Sequence, residues 1–185
     1  MRRWTVVVIA LLLLVGACGG DGGSDDQLAV VTAERDALQA QLDAAEQRHD
    51  RSAASQQAVA EIIADPEAVG TESEVLDLLD QYAESPSVPY VDDALGETTW
   101  RIGWRDTLFS GVDANLETWV IWLADDGSTG GSLWSWNGTA ANGEPFSLSG
   151  IVLEAFNDEG LYEALTVYYP MSDDEVQRAF AQGNL

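Results

Sequence analysis

The chain has 185 residues and a formal net charge of −24, with 32 Asp and Glu set against 8 basic residues, every one of them arginine. That balance excludes nucleic-acid binding, because neutralising phosphates takes a patch of basic groups, and it excludes electrostatic docking on anionic lipid. One Cys and one His leave no internal disulfide framework, no zinc site built on cysteines and no His-rich metal site, and no cofactor is expected. The 46% apolar content suffices for one domain of about 100–150 residues.

Arg2 and Arg3 precede an unbroken apolar run from Val6 to Val15. The run is too short to cross a bilayer of about 30 Å as a helix, and it has the length of a signal-peptide core. Val15-Gly16-Ala17-Cys18 follows and resembles the lipobox of bacterial lipoproteins. The resemblance implies a signal peptide over residues 1–17 and cleavage before Cys18. It also implies a diacylglyceryl thioether on the Cys18 sulfur and a further acyl chain, such as palmitate, on its amine. Two or more chains give stable anchoring, at about 0.8 kcal/mol per buried methylene. The expected address is the extracytoplasmic face of the cell membrane. Residues 18–26, rich in Gly and Asp, read as a flexible tether.

Residues 27–64 contain neither Gly nor Pro and are dominated by good helix formers. In heptads, Leu28, Val31, Leu38, Leu42, Ala45, Val59 and Ile63 supply an apolar stripe, which Arg35, His49, Ser52 and Gln56 interrupt. The pattern predicts a helix of about 55 Å if straight, either a solvated stalk or a coiled coil. Its last turns, from Ser52, are also assigned to a domain spanning 52–185. Asp65-Pro66 ends it.

Beyond Pro66, Thr71-Glu72-Ser73-Glu74 forms a capping box opening a helix to about Ala83. Val88 to Val91 is a short strand, placed at an edge by Pro89. Gly96 to Phe109 reads as a second helix with Trp100, Gly103 and Trp104 on its inner face. The period then changes to two: strands are predicted over 116–123, 131–136, 146–156 and 161–169, separated by Asp-Gly, Asn-Gly and Glu-Gly turns. Ser172 to Glu175 caps a C-terminal helix over 172–181. The order predicts an α+β domain with helices against one face of a curved sheet.

Leu133-Trp134-Ser135-Trp136-Asn137-Gly138-Thr139, Asn142-Gly143-Glu144-Pro145-Phe146 and Asp158-Glu159-Gly160-Leu161-Tyr162 running to Tyr168-Tyr169 resemble the SnoaL-like branch of the nuclear transport factor 2-like superfamily. With the helix and aromatic-helix pattern before them, they cover residues 52–170. The resemblance implies a cone, a bent sheet wrapped around helices and an apolar pocket, in a family of cyclases, isomerases, hydrolases, dehydratases and non-enzymatic binding domains. Where such members carry His-Trp and then an Asp after Tyr-Tyr, this chain has Leu165, Thr166 and Pro170, and Val152 and Ala155 stand near the family's Asp and Arg on the preceding strand. A catalytic reading therefore falls on Asp92 as base, with Tyr90 or Tyr168 donating to an oxyanion. Asp93, Glu117, Glu154 and Glu163 are further carboxylates.

Trp100, Trp104, Trp119, Trp134 and Trp136 occupy the helix and central strands, as core or as the lining of a pocket for a flat apolar ligand. The expected function is a membrane-anchored domain that binds a small apolar molecule or a partner without catalysis. The alternatives are an isomerase, cyclase or hydrolase with a carboxylate base, and a homodimeric structural module.

Overall fold

The computed structural model describes residues 24–93, 96–109, 113–139 and 145–169. The signal peptide, Cys18 and the C-terminal helix expected over 172–181 lie outside the described residues. The chain forms two compact units that divide between Leu42 and Asp43.

Helix α1 covers Ser24–Ala64. In the first unit its Leu28, Val30, Val31, Leu38 and Leu42 are all exposed, and Arg35 pairs with its neighbour Asp36 at 2.7 Å. In the second unit α1 is amphipathic: Ser52, Ser55, Gln56, Val59, Ile62 and Ile63 are buried, a spacing of three and four that keeps one face inward. Pro66 stops it. Asp65 then caps a short helix α2 (Pro66–Val69), its side chain accepting from the Ala68 N–H at 3.2 Å. Helix α3 (Glu72–Leu79) opens on the expected box, with Glu74 accepting from the Thr71 N–H at 2.7 Å. That bond holds the Glu74 carboxyl below its ordinary pKa. A turn of 3-10 helix, Asp80–Tyr82, completes the segment.

Among the described residues one mixed sheet of six strands follows: β1 (Pro89–Asp92), β2 (Gly96–Thr99), β3 (Asp113–Leu123), β4 (Thr129–Thr139), β5 (Pro145–Phe156) and β6 (Tyr162–Tyr168), in the order β2-β1-β6-β5-β4-β3. Only β1 and β6 pair in parallel; every other neighbour is antiparallel. Helix α4 (Trp100–Leu108) connects β2 to β3.

Two expectations are corrected here. The stretch 96–99 is a strand rather than the first turn of a helix: Gly96 takes φ +105°, and the β-branched Thr98 and Thr99 pair with Tyr90 and Pro89. The strand containing Pro89 is internal, lying between β2 and β6. The proline is tolerated because it is the first residue of the strand. Pairing with β6 begins only at Tyr90, opposite Leu165, so no ladder bond is asked of the missing N–H.

Two turns hold the α1 segment of the second unit against the sheet. The Ser52 hydroxyl donates to the Gly127 carbonyl at 2.8 Å, and Arg51 donates to the Asp158 carbonyl at 3.0 Å. Arg48 bridges both turns, donating to the Asp126 carbonyl at 2.6 Å and to the Asp158 carboxylate at 2.5 Å. Gly160, at φ +76°, makes this approach possible, since a Cβ there would lie 2.5 Å from Arg51 Cβ and 2.8 Å from the Ser52 nitrogen. Gly160→Ala is therefore expected to cost about 1–3 kcal/mol, from left-handed strain and overpacking together. Chemical denaturation would check this, and an unchanged midpoint would mean that the turn yields freely.

Candidate functional site

Alternation along the strands decides which side chains meet inside the sheet. On β4, Trp134 and Trp136 share the inner face and are both buried. On β5 the same parity carries Leu148, Gly150, Val152 and Glu154. Gly150 admits the Trp134 indole, because a Cβ there would lie 2.7 Å from its ring and 2.2 Å from the Tyr168 carbonyl oxygen. On β1, Tyr90 and Asp92 point inward. The Tyr90 ring lies flat over α4 where Gly103 has no side chain: a Cβ would sit 2.4 Å from that ring.

Between this face, α4 and the last turns of α1 lies a cavity of about 370 Å³, lined among others by Val59, Ile63, Leu116, Leu165 and Val167. Aromatic walls come from Tyr90 and Trp104, edge to face at 5.8 Å, and from Trp134 and Tyr169, edge to face at 5.3 Å. The indole N–H groups of Trp104 and Trp134 are buried without an acceptor.

Two carboxylates are buried in the wall. Asp92 is 8% exposed and accepts from the Tyr169 hydroxyl at 2.6 Å. Glu154 is 7% exposed and takes donors from three elements: the Gln56 amide on α1, the Ser132 hydroxyl at 2.8 Å on β4 and the Tyr162 hydroxyl at 3.5 Å on β6. Burial pushes the Glu154 carboxyl up, and the three donors pull it partly back. Burial likewise raises Tyr90, to about 12, and carries Tyr162 and Tyr169 well above the ordinary tyrosine value. These phenols are donors at any physiological pH.

Of the residues singled out in the sequence, the structure brings Asp92, Tyr90, Trp104, Trp134 and Trp136 to one cavity. Tyr168 is not there. It is 40% exposed, and Tyr169 takes the place beside Asp92. The cause is an irregularity in the β5–β6 ladder: Ala155 pairs with Ala164 and Phe156 with Tyr162, so Glu163 is an extra residue that inverts the parity downstream. Trp100 is wholly buried behind the cavity, edge to face with Trp104 and tilted against Tyr162, and does not line it. The Trp119 side chain lies outside the described residues. Asp93, Glu117 and Glu163 are exposed. Gln56 and Ser132, absent from the expected set, are present because of Glu154. Among the described residues no three His, Cys, Asp or Glu side chains converge on a metal position, and no helix is long and apolar enough to cross a membrane.

This architecture recurs in solved structures. A candidate polyketide cyclase of Xanthomonas campestris pv. campestris superposes with a TM-score of 0.53 at 16% identity, over 73% of this chain and 98% of that one. A candidate SnoaL-like polyketide cyclase of Jannaschia sp. CCS1 gives 0.51 at 12% identity, over 74% and 94%. TerC, co-crystallised with polyporic acid, gives 0.51 at 10% identity, over 71% and 98%. The fold is nuclear transport factor 2-like. It is of the SnoaL-like kind, as the Trp134 to Thr139 and Asp158 to Tyr162 stretches implied. No family model and no curated protein matches the sequence, and identities this low speak for the fold alone. Leu165, where the resemblance would put a His, lines the cavity as a plain apolar side chain.

Proposed function

We propose that the chain is a lipid-anchored protein of the bacterial envelope whose SnoaL-like domain binds a small, largely apolar molecule without transforming it. The cavity carries this reading: its walls are mostly aliphatic and aromatic, and two buried indole donors have nothing to donate to. An unmet buried donor costs about 1–3 kcal/mol, which a ligand oxygen beside Trp104 or Trp134 would recover. The absence of turnover is supported by the side chains present. His49, the chain's one histidine, is not among the lining residues, and Glu154 is committed to three structural donors. Native mass spectrometry of protein extracted in mild detergent is expected to retain a bound small molecule. An adduct-free spectrum, with no thermal shift from any hydrophobic compound, would overturn the reading.

The membrane address rests on the lipobox-like Val15 to Cys18. Cys18→Ser is expected to abolish incorporation of an alkynyl fatty acid completely, because serine cannot form the thioether. Undiminished labelling would remove the anchor, and with it the role proposed for helix 27–64 as a stalk.

A second reading, catalysis, is favoured by one observation: a buried carboxylate, Asp92, in direct contact with a phenol, Tyr169, inside the cavity. Such a pair fits proton abstraction beside a carbonyl. Turnover of any substrate that disappears in Asp92→Asn, with the fold retained, would establish it and displace the first reading.

A further inference from the structure

We propose that the cavity selects an organic amine, a small and largely apolar molecule whose protonated primary amino group sits against Glu154 and the side-chain carbonyl of Gln56. The inference rests on the ligand-binding reading and assigns its ligand a charge.

The first argument is the sign of the field. Four carboxylates line the cavity, Asp92 and Glu154 buried inside and Glu97 and Asp106 exposed, and among the described lining residues there is no Lys, Arg or His. An anionic ligand would meet repulsion from each and no positive charge among the described lining residues. A neutral one draws no charge attraction from them. Carboxylates of one sign lining a low-dielectric cleft also concentrate the field and draw cations in.

The second argument is independent of charge. Gln56 is 3% exposed and donates its amide N–H to Glu154, which leaves its Oε1 buried without a partner. An ionised carboxylate offers about four acceptor positions, and three are filled: Oε1 takes Ser132 and Tyr162, and Oε2 takes Gln56 alone. The remaining demand is thus two adjacent acceptors, Gln56 Oε1 and Glu154 Oε2. A group meeting both needs at least two donors, and a primary ammonium, with three donors and a positive charge, meets them while also answering the carboxylates of the wall. A quaternary ammonium has none. Gly130 lets both groups close against β4, since a Cβ there would come 2.6 Å from Gln56 Nε2 and 3.0 Å from Glu154 Oε2.

Aromatic and desolvation effects act in the same direction. Tyr90, Trp104, Trp134 and Trp136 line the cavity and suit an apolar skeleton, and an aromatic face presented to a cation attracts it. Burial penalises the ionised Glu154, and a cation in contact would offset that penalty.

The test is calorimetric titration of the full chain in mild detergent with three compounds of one shape: tyramine, para-propylphenol and para-hydroxyphenylpropanoate. About 1 M NaCl shortens the Debye length to about 3 Å, so the general acidity of the chain no longer attracts cations. Tyramine is expected to bind at least about tenfold more tightly than para-propylphenol, the gain typical of hydrogen bonds to a charged group, and the propanoate not at all. Glu154→Gln is expected to bring that ratio near unity. A variant that keeps the full preference would overturn the seat. If the variant does not fold, the ratio in the unaltered protein decides alone. Para-propylphenol binding as tightly as tyramine would overturn the amine while leaving a ligand-binding cavity, whereas no heat from any of the three would overturn both.

Discussion

Replacing Trp100 with alanine is expected to destabilise the domain by about 3–5 kcal/mol, the range for truncating a fully buried aromatic residue. The side chain has no exposed surface. Its ring meets Trp104 edge to face at 5.7 Å and Tyr162 at 4.9 Å, so it backs two residues that line the cavity. One term works against the loss: the Trp100 indole N–H is itself buried without an acceptor, and deleting it returns about 1 kcal/mol or more. The lower half of the range is therefore expected. Trp134→Phe provides the contrast. Phenylalanine keeps most of the ring volume and removes another unmet indole donor, so stability should change by no more than about 1 kcal/mol, while any ligand oxygen held there would lose its bond. Urea denaturation of the two variants separates the roles. A Trp100→Ala midpoint close to that of Trp134→Phe would mean that the Trp100 site collapses onto the cavity and belongs to it.

What the sequence made legible follows the reach of local signals. Capping by Glu74, the stop at Pro66 and the common face of Trp134 and Trp136 depend on residues a few positions apart, and each was readable. Two features were not, and a third was readable only in part. The strand at 96–99 is too short to show a period, and it forms because β1 lies beside it. The displacement of Tyr168 by Tyr169 depends on one extra residue, Glu163, that becomes extra only against the register of β5. The Glu154 site was half legible. Its parity with Leu148, Gly150 and Val152 marks it as inward-facing, but a carboxylate among so many carries no signal of its own. Its partners Gln56 and Ser132 lie 98 and 22 residues away in the chain, and only folding brings them together. Gln56 also interrupts the apolar seam of the long helix. In heptads that looked like a defect; in the fold it is where the helix meets the cavity.

Stability is expected to fall as pH rises through the titration of Glu154, and Glu154→Gln is expected to remove that component. Burial raises this carboxyl from its ordinary value of 4.5, and the three donors offset the rise only in part. The folded state therefore holds the proton more tightly than the unfolded chain does. A group of this kind contributes stability that is fully present below the unfolded value and is lost as pH climbs through the raised, folded one. Repulsion among the other carboxylates has the same sign, so the informative quantity is the difference between the parent and Glu154→Gln. The two should lie close together in acid, where a protonated glutamate, with one O–H donor, and a glutamine, with two N–H donors, have nearly the same shape. Above that window the variant should be the more stable. Glu154→Leu should behave otherwise, because it leaves the Gln56, Ser132 and Tyr162 donors without their acceptor, at about 1–3 kcal/mol for each that stays buried. Denaturation midpoints measured from acid to neutral pH would decide. A parent that gains stability over Glu154→Gln as pH rises would mean that the three donors outweigh burial. Glu154 would then stand charged in the cavity, already set for a cation.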